Sequence, residues 1–417
     1  MKTFKDAFVW VWLPGKLDPI VAGKLTRNGS FILFNYGRSY LQNHEAIPLF
    51  DEELPLKPGI IEPLKGLSIA GCIRDASPDA WGRRAIIYLK FGIKGAYTET
   101  AMLDELTYLL ESNSDRIGGL DFQLSATDYE PRFNDNGNLE ELLESAQRME
   151  KGIPLSPNLA LALQHGTSIG GARPKASLDA ENRKYLAKFS LHSDIYNVVK
   201  AEFAAMTLAR LVGLNVASVS LTKALGKDVL LVERFDRVRS EGGWQRKIMV
   251  SALTMQILDE MLARYASYQR LAEIIRQKFS DPIPTLRELF GRMVFNVLCG
   301  NTDDHARNHA AFWNGRELAL TPAFDICPQM RVVGGETSQA MLICDQDRRS
   351  RVMTCLDAAP AFLLTREEAC GIISHQINVM EDNWSGVCEM AELSKMEENM
   401  LWKNLFLNPF VLQGFED

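Results

Sequence analysis

The chain has 417 residues, 24% charged and 46% hydrophobic, the composition of a globular protein of two or three domains. Its formal net charge of −7 argues against a nucleic-acid surface of its own, and its seven scattered cysteines, none in CxxC spacing, argue against a disulfide framework or a zinc ribbon. The apolar patch in MKTFKDAFVWVWLPGK is too short for a signal peptide, and no stretch reaches the length of a membrane span, so the chain reads as cytoplasmic.

Residues 7–35 alternate apolar and polar side chains, in FVWVWL and again in SFILFNY, with turn residues at Pro14-Gly15 and Asn28-Gly29. That pattern predicts a small antiparallel sheet. DASPDAWGRRAIIYLKFG predicts a helix capped by Asp75 or Ser77 with Pro78 in its first turn, and YTETAMLDELTYLLE predicts a second. Residues 124–158 form a polar connection holding one amphipathic helix, and a domain boundary falls near residue 130. From 166 the pattern is loop, strand, helix, strand. After about 245 it is mostly helical, apart from an extended pair around 309–327. Three domains follow: 1–130, a small antiparallel sheet plus helices; 131–240, a strand-rich small lobe; 241–417, a helical large lobe. The class is α+β, with a cleft expected between the lobes.

SIGGARPKASL (168–178) is not a Walker A loop, but Gly170 and Gly171 let the backbone approach phosphate closely and Lys175 adds charge. Lys188 lies on the predicted strand RKYLAKFS, and Glu202 on the predicted helix NVVKAEFAAMTLARLVGL. A strand lysine paired with a helix glutamate downstream of a Gly loop is how kinases hold the α- and β-phosphates. The strand DVLLVERFDRV then turns polar at Glu233, where Glu233 and Phe235 would border an adenine.

Leu286, Leu289, Phe290, Met293, Val294, Val297 and Leu298 recur at i, i+3, i+4, i+7 and predict one face of a buried helix ending at Gly300. It delivers the loop GNTDDHARNHAAFWNG (300–315). Asp303 and Asn308 have the D-x-x-x-x-N spacing of a kinase catalytic loop, with the aspartate as base and the asparagine as magnesium ligand. His305 and Arg307 orient the loop. Asn314-Gly315 predicts a type I′ hairpin whose second strand ends at Asp325, a second oxygen ligand for magnesium. Zinc on His305 and His309 is a rival reading, but H-E-x-x-H is lacking and Arg307 lies between the histidines. Singly, Gly170-Gly171 reads as a turn and Lys188 as a surface residue. Their order along the chain carries the kinase-like reading.

TSIGGARPKASL, the strand Lys188, ERFDR (233–237), NTDDHARNHAAFW and LTPAFDI together resemble the HipA family, over nearly the whole chain. Its members are bacterial serine/threonine-protein kinases that act as toxins of type II toxin–antitoxin systems. The resemblance implies a two-lobed protein-kinase-like fold preceded by the N-terminal domain. It implies Asp303 as catalytic base, Asn308 and Asp325 as magnesium ligands, and Lys188 as an ATP-phosphate ligand. The backbone of Ser168, Ile169, Gly170, Gly171 and Ala172 would cover the phosphates, Glu233 and Phe235 would border the adenine, and His305 would sit on the nucleotide side. Ser168 falls where family members autophosphorylate. Glu202 as partner of Lys188 is an inference from kinase logic. A cytosolic protein substrate is implied, in some members an aminoacyl-tRNA synthetase, together with a small helix-turn-helix antitoxin (HipB-like) that contacts DNA. A non-catalytic co-repressor scaffold and a lipid or small-molecule kinase stand as alternatives.

Overall fold

The computed structural model describes residues 4–92, 99–132, 138–168, 171, 173–180, 182–190, 194–330 and 336–416. The chain divides into two compact units. The first holds residues 1–192, 222–250 and 313–316; the second holds 193–221, 251–312 and 317–417. No helix among the described residues is long and apolar enough to cross a membrane.

The first unit contains two larger sheets and a two-stranded ribbon, Arg237–Ser240 with Gly243–Arg246. One is five-stranded, with β1 (Asp6–Val11), β2 (Ile20–Asn28), β3 (Phe31–Tyr36), β4 (Ile60–Ile61) and β5 (Leu120–Gln123) in the order β4-β3-β2-β1-β5. The alternating opening segment thus folds as its period predicts, with Val9, Val11, Leu25 and Phe34 buried. The second sheet pairs β6 (Lys175–Ala180) with β7 (Arg183–Phe189), and β7 with strand Lys227–Glu233, both antiparallel. Helices Ala80–Phe91, Leu139–Lys151 and Pro157–Gln164 share a core with this sheet, in which Trp81, Leu143, Leu163, Ala187 and Val229 meet. Helix Ala80–Phe91 starts at Asp79, later than the expected caps Asp75 and Ser77, because a separate short helix, Gly71–Arg74, takes up the preceding turn.

The second unit is built on helix Pro282–Leu298. All seven residues of its predicted apolar face are buried. Helix Val198–Leu211, which carries Glu202, belongs to this unit and packs on helix Arg366–Met390. Gln376 of the latter donates to the Gly291 carbonyl of helix Pro282–Leu298 at 2.9 Å.

Candidate active site

The first unit carries the Gly-loop residues. Ile169, Gly170 and Ala172 lie outside the described residues. Gly171 is held from both sides: its amide donates to the Asp79 carboxylate at 2.6 Å, and its carbonyl accepts from the Trp81 amide at 3.1 Å. Its φ of +97° is a backbone state that side chains disfavour, and a Cβ there would sit 2.2 Å from Lys175 Nζ. Lys175 is paired in register with Lys188 across β6 and β7, so both side chains stand on one face of the sheet, and both are buried. Ser168 is 3% exposed, and its hydroxyl has no hydrogen-bond partner.

The ERFDR segment splits by face. Glu233 is half-buried and accepts from Arg183 Nη1 at 2.9 Å, and Phe235 is half-buried. Arg234, Asp236 and Arg237 are buried, and sequence reasoning missed their role. Arg234 and Arg237 each reach Asp115 at 3.0 Å, Arg237 binds Asp236 at 2.6 Å, and Asp236 accepts from the Gly118 amide at 2.8 Å. Burial alone would raise the Asp115 and Asp236 carboxyls. The facing guanidinium groups overcome it, holding Asp115 well below the usual carboxylate range and Asp236 at about 2.

The second unit carries the residues of the loop after helix Pro282–Leu298. Helix Pro282–Leu298 closes through Cys299 into Gly300 at φ +75°, where a Cβ would strike the Leu405 carbonyl at 2.7 Å. The loop is stitched by its own backbone: His305 donates to the Asp303 carbonyl at 2.9 Å, and Asn308 donates to that of His305 at 2.8 Å. Ala340 donates to the Thr302 carbonyl at 3.1 Å. Asp303 is exposed. Partial desolvation raises its carboxyl pKa, His305 opposes the rise, and the charges of Asp325 and Asp304 reinforce it. Asp303 and Asp325 are therefore brought near enough to feel one another. The Asn308 amide nitrogen donates to the Asp303 carbonyl at 3.5 Å. Arg307 pairs with Glu260 at 2.5 Å and so fastens the loop. His305 Nδ1 is buried with no hydrogen-bond partner. His309 Nε2 is bonded to Asp304 at 2.8 Å, and among the described residues no cluster of three or more His, Cys, Asp or Glu side chains is arranged to hold a metal ion.

The hairpin after the loop differs from the type I′ expectation. Strand Ala310–Trp313 is followed by four loop residues before Leu318–Leu320; Asn314 has no left-handed φ, and its Oδ1 accepts from the Arg316 amide at 2.9 Å. The second strand ends at Leu320, short of Asp325, because Pro322 has no N–H to continue the ladder. Asp325 then takes φ +59°.

The HipA-like C-terminal domain family matches residues 167–384, a span that opens at Thr167, enters the Gly loop and encloses Asp303, Asn308 and Asp325. The chain belongs to the HipA-like family. Among its relatives, Y4mE of Sinorhizobium fredii is 25% identical over 76% of each chain. The serine/threonine-protein kinase toxin HipA of Shewanella oneidensis is 26% identical over 43% of this chain and 47% of that one. The solved HipA of Shewanella oneidensis MR-1, from a complex with HipB and operator DNA, superposes with a TM-score of 0.68 at 19% identity, covering 95% of this chain and 94% of that one. The α+β fold of this chain is thus the HipA fold.

Proposed function

We propose that this HipA-family chain is an ATP- and magnesium-dependent serine/threonine-protein kinase acting as the toxin of a HipA/HipB-like toxin–antitoxin system. One observation carries the reading: an exposed Asp303, on the loop that follows helix Pro282–Leu298, whose carboxyl is pushed up by partial desolvation and by the charge of Asp325. Such a pair, with an asparagine oxygen alongside, fits a hard divalent cation, which takes one or two carboxylates and fills its remaining positions with phosphate and water.

In this reading Asp303 accepts the proton of the acceptor hydroxyl as it attacks the γ-phosphoryl group. Its raised pKa makes it a better base than an ordinary aspartate. Asn308 and Asp325 hold magnesium, which when bound neutralises phosphate charge. Lys188 binds phosphate, and the buried side-by-side lysines 175 and 188 suit an anion. The backbone of 168–172 covers the phosphates, Glu233 and Phe235 border the adenine, and His305 lies on the nucleotide side.

A HipB-like helix-turn-helix antitoxin is the proposed partner, supported by the HipB in the solved HipA complex. DNA contact would fall to that partner, consistent with a net charge of −7. The acceptor is a serine or threonine of a cytosolic protein, and an aminoacyl-tRNA synthetase is the first to try.

The test compares wild type with Asp303→Asn, using labelled ATP and magnesium, and mass spectrometry of cells expressing each. Asp303→Asn is expected to lose phosphoryl transfer by about 10²–10⁴-fold while still binding ATP. Transfer near the wild-type rate would remove Asp303 as the base. A labelled lipid or metabolite with no labelled protein would replace the protein acceptor, and a wild type that transfers nothing would favour the scaffold alternative.

A further inference from the structure

Asp303 and Asp304 are consecutive residues with opposite surroundings. Asp303 is exposed, whereas Asp304 is 2% exposed. Both oxygens of Asp304 are occupied. The Tyr268 hydroxyl donates to Oδ2, and His309 Nε2 is bonded to Oδ1 at 2.8 Å. Tyr268 Oη and His309 Nε2 lie 3.2 Å apart, and their rings meet edge-on with centroids 5.3 Å apart. His309 Nδ1 is buried without a hydrogen-bond partner, which suits a neutral ring donating from Nε2 rather than a doubly protonated one.

Each partner is itself fixed. Tyr268 opens helix Tyr268–Lys278, and its amide donates to the Leu342 carbonyl at 2.9 Å. The His309 carbonyl accepts from the Ala252 amide at 2.8 Å, just ahead of strand Ala310–Trp313. The Asp304 carboxylate therefore ties the loop to a helix start on one side and to a strand start on the other. A surface turn does not need a buried carboxylate, because desolvating one is costly unless every lone pair is met.

We propose that Asp304, Tyr268 and His309 are the positioning device of the catalytic loop: a buried hydrogen-bonded triad that fixes the backbone from which Asp303 projects. Asp304 is a positioning residue, not a catalytic one, since both its oxygens face the core and are taken. The chemical consequence rests on the kinase reading above; the clamp itself does not. A base displaced by about 1 Å loses on the order of 10²-fold in rate.

The experiment measures amide hydrogen exchange of peptides spanning 300–310, together with kcat, KM for ATP and Tm, in full-length wild type, Tyr268→Phe, His309→Gln, His309→Ala and Asp304→Asn. Tyr268→Phe keeps the ring and removes one donor. It is expected to speed exchange in 300–310 about tenfold and to lower kcat about 10- to 100-fold, with a smaller rise in KM for ATP because only Asn308 and His305 of the nucleotide contacts share the loop. His309→Gln keeps a donor near the Nε2 position and is expected to recover most of the kcat lost in His309→Ala. Wild-type exchange and kcat in Tyr268→Phe would overturn the proposal. So would equal kcat losses in His309→Gln and His309→Ala that merely follow Tm. If Asp304→Asn does not fold, Tyr268→Phe decides. If wild type protects 300–310 but transfers no phosphate, the kinase reading falls and the exchange arm alone judges the clamp.

Discussion

The Gly171 amide donates to the carboxylate of Asp79 at 2.6 Å, across 92 positions of sequence. Asp79 sits at the N-cap of helix Ala80–Phe91 yet makes no side-chain cap bond to its own helix. Its carboxylate is committed to the Gly loop instead, where the Trp81 amide adds a bond to the Gly171 carbonyl. Asp79→Ala should therefore loosen the loop more than the helix. A charge-assisted bond on a half-buried loop is worth about 1 kcal/mol, which corresponds to roughly fivefold in affinity. Calorimetric titration with ATP should show that loss, and Asp79→Asn, which keeps an acceptor, should show less than half of it. Unchanged ATP affinity in Asp79→Ala would mean that this tether does not govern nucleotide binding.

Asp325 opposes stability in two ways. Its charge raises the proton affinity of Asp303, and its φ of +59° is left-handed, a state asparagine tolerates better than most residues. Because the Asp303 pKa is raised in the folded state, that state binds the proton more tightly than the unfolded chain. Its contribution to stability therefore falls as pH climbs from the ordinary aspartate value through the raised one. Asp325→Asn should lift Tm by about 1–3 °C at neutral pH and narrow that loss. The same variant should lose about 10²-fold or more in phosphoryl transfer. Thermal melts from pH 4 to 8, run beside the kinase assay, read both effects. A drop in Tm would show that other contacts of the Asp325 carboxylate outweigh its repulsion with Asp303.

The cluster of Asp115, Asp236, Arg234 and Arg237 behaves in the opposite sense with pH. Both carboxyls are held below 3.8, Asp236 at about 2 and Asp115 lower. Their contribution is complete at neutral pH and is lost as the pH falls below about 4 toward the folded-state values. Asp115→Ala leaves two buried guanidinium groups facing a hole and should cost about 3–5 kcal/mol. Urea midpoints measured between pH 7 and 2.5 should fall steeply below pH 4 in wild type, whereas Asp115→Ala should start lower and fall less. Parallel curves would assign the acid sensitivity elsewhere.

What the sequence made legible was local. The apolar face of helix Pro282–Leu298 and its halt at Gly300 follow from a 3.6-residue period and one glycine, so all seven predicted core residues are buried. The alternating strands of residues 7–35 follow from a period of two. What escaped depends on distant partners. Arg234 and Asp236 look like solvated charges in a polar strand end, yet Arg234 bonds the Arg116 carbonyl, 118 residues away. Asp304 was visible only as a neighbour of Asp303; its burial depends on Tyr268, 36 residues earlier. The Asn-Gly turn misled because a four-residue loop lets the Asn314 side chain, rather than a left-handed backbone, close the bend.

Ser168 offers a test of how modification would act on the Gly loop. Its hydroxyl is buried and unpartnered, while the neighbouring Thr167 hydroxyl donates to the Gln164 carbonyl at 2.7 Å and accepts from the Asn113 amide at 3.0 Å. Removing an orphaned hydroxyl costs nothing, so Ser168→Ala should melt at or slightly above the wild-type temperature. A phosphate there would bring nearly two charges and three acceptors into a buried place now holding one hydroxyl, so residue 168 would have to move out toward water. Ser168→Asp imitates part of that change. It should cost about 2–3 kcal/mol, weaken ATP binding, and open the chain to protease near 168. Limited proteolysis and ATP titration of the three proteins give the comparison. A Ser168→Asp variant that melts, resists protease and binds ATP like wild type would show that the burial of this hydroxyl does not control the loop.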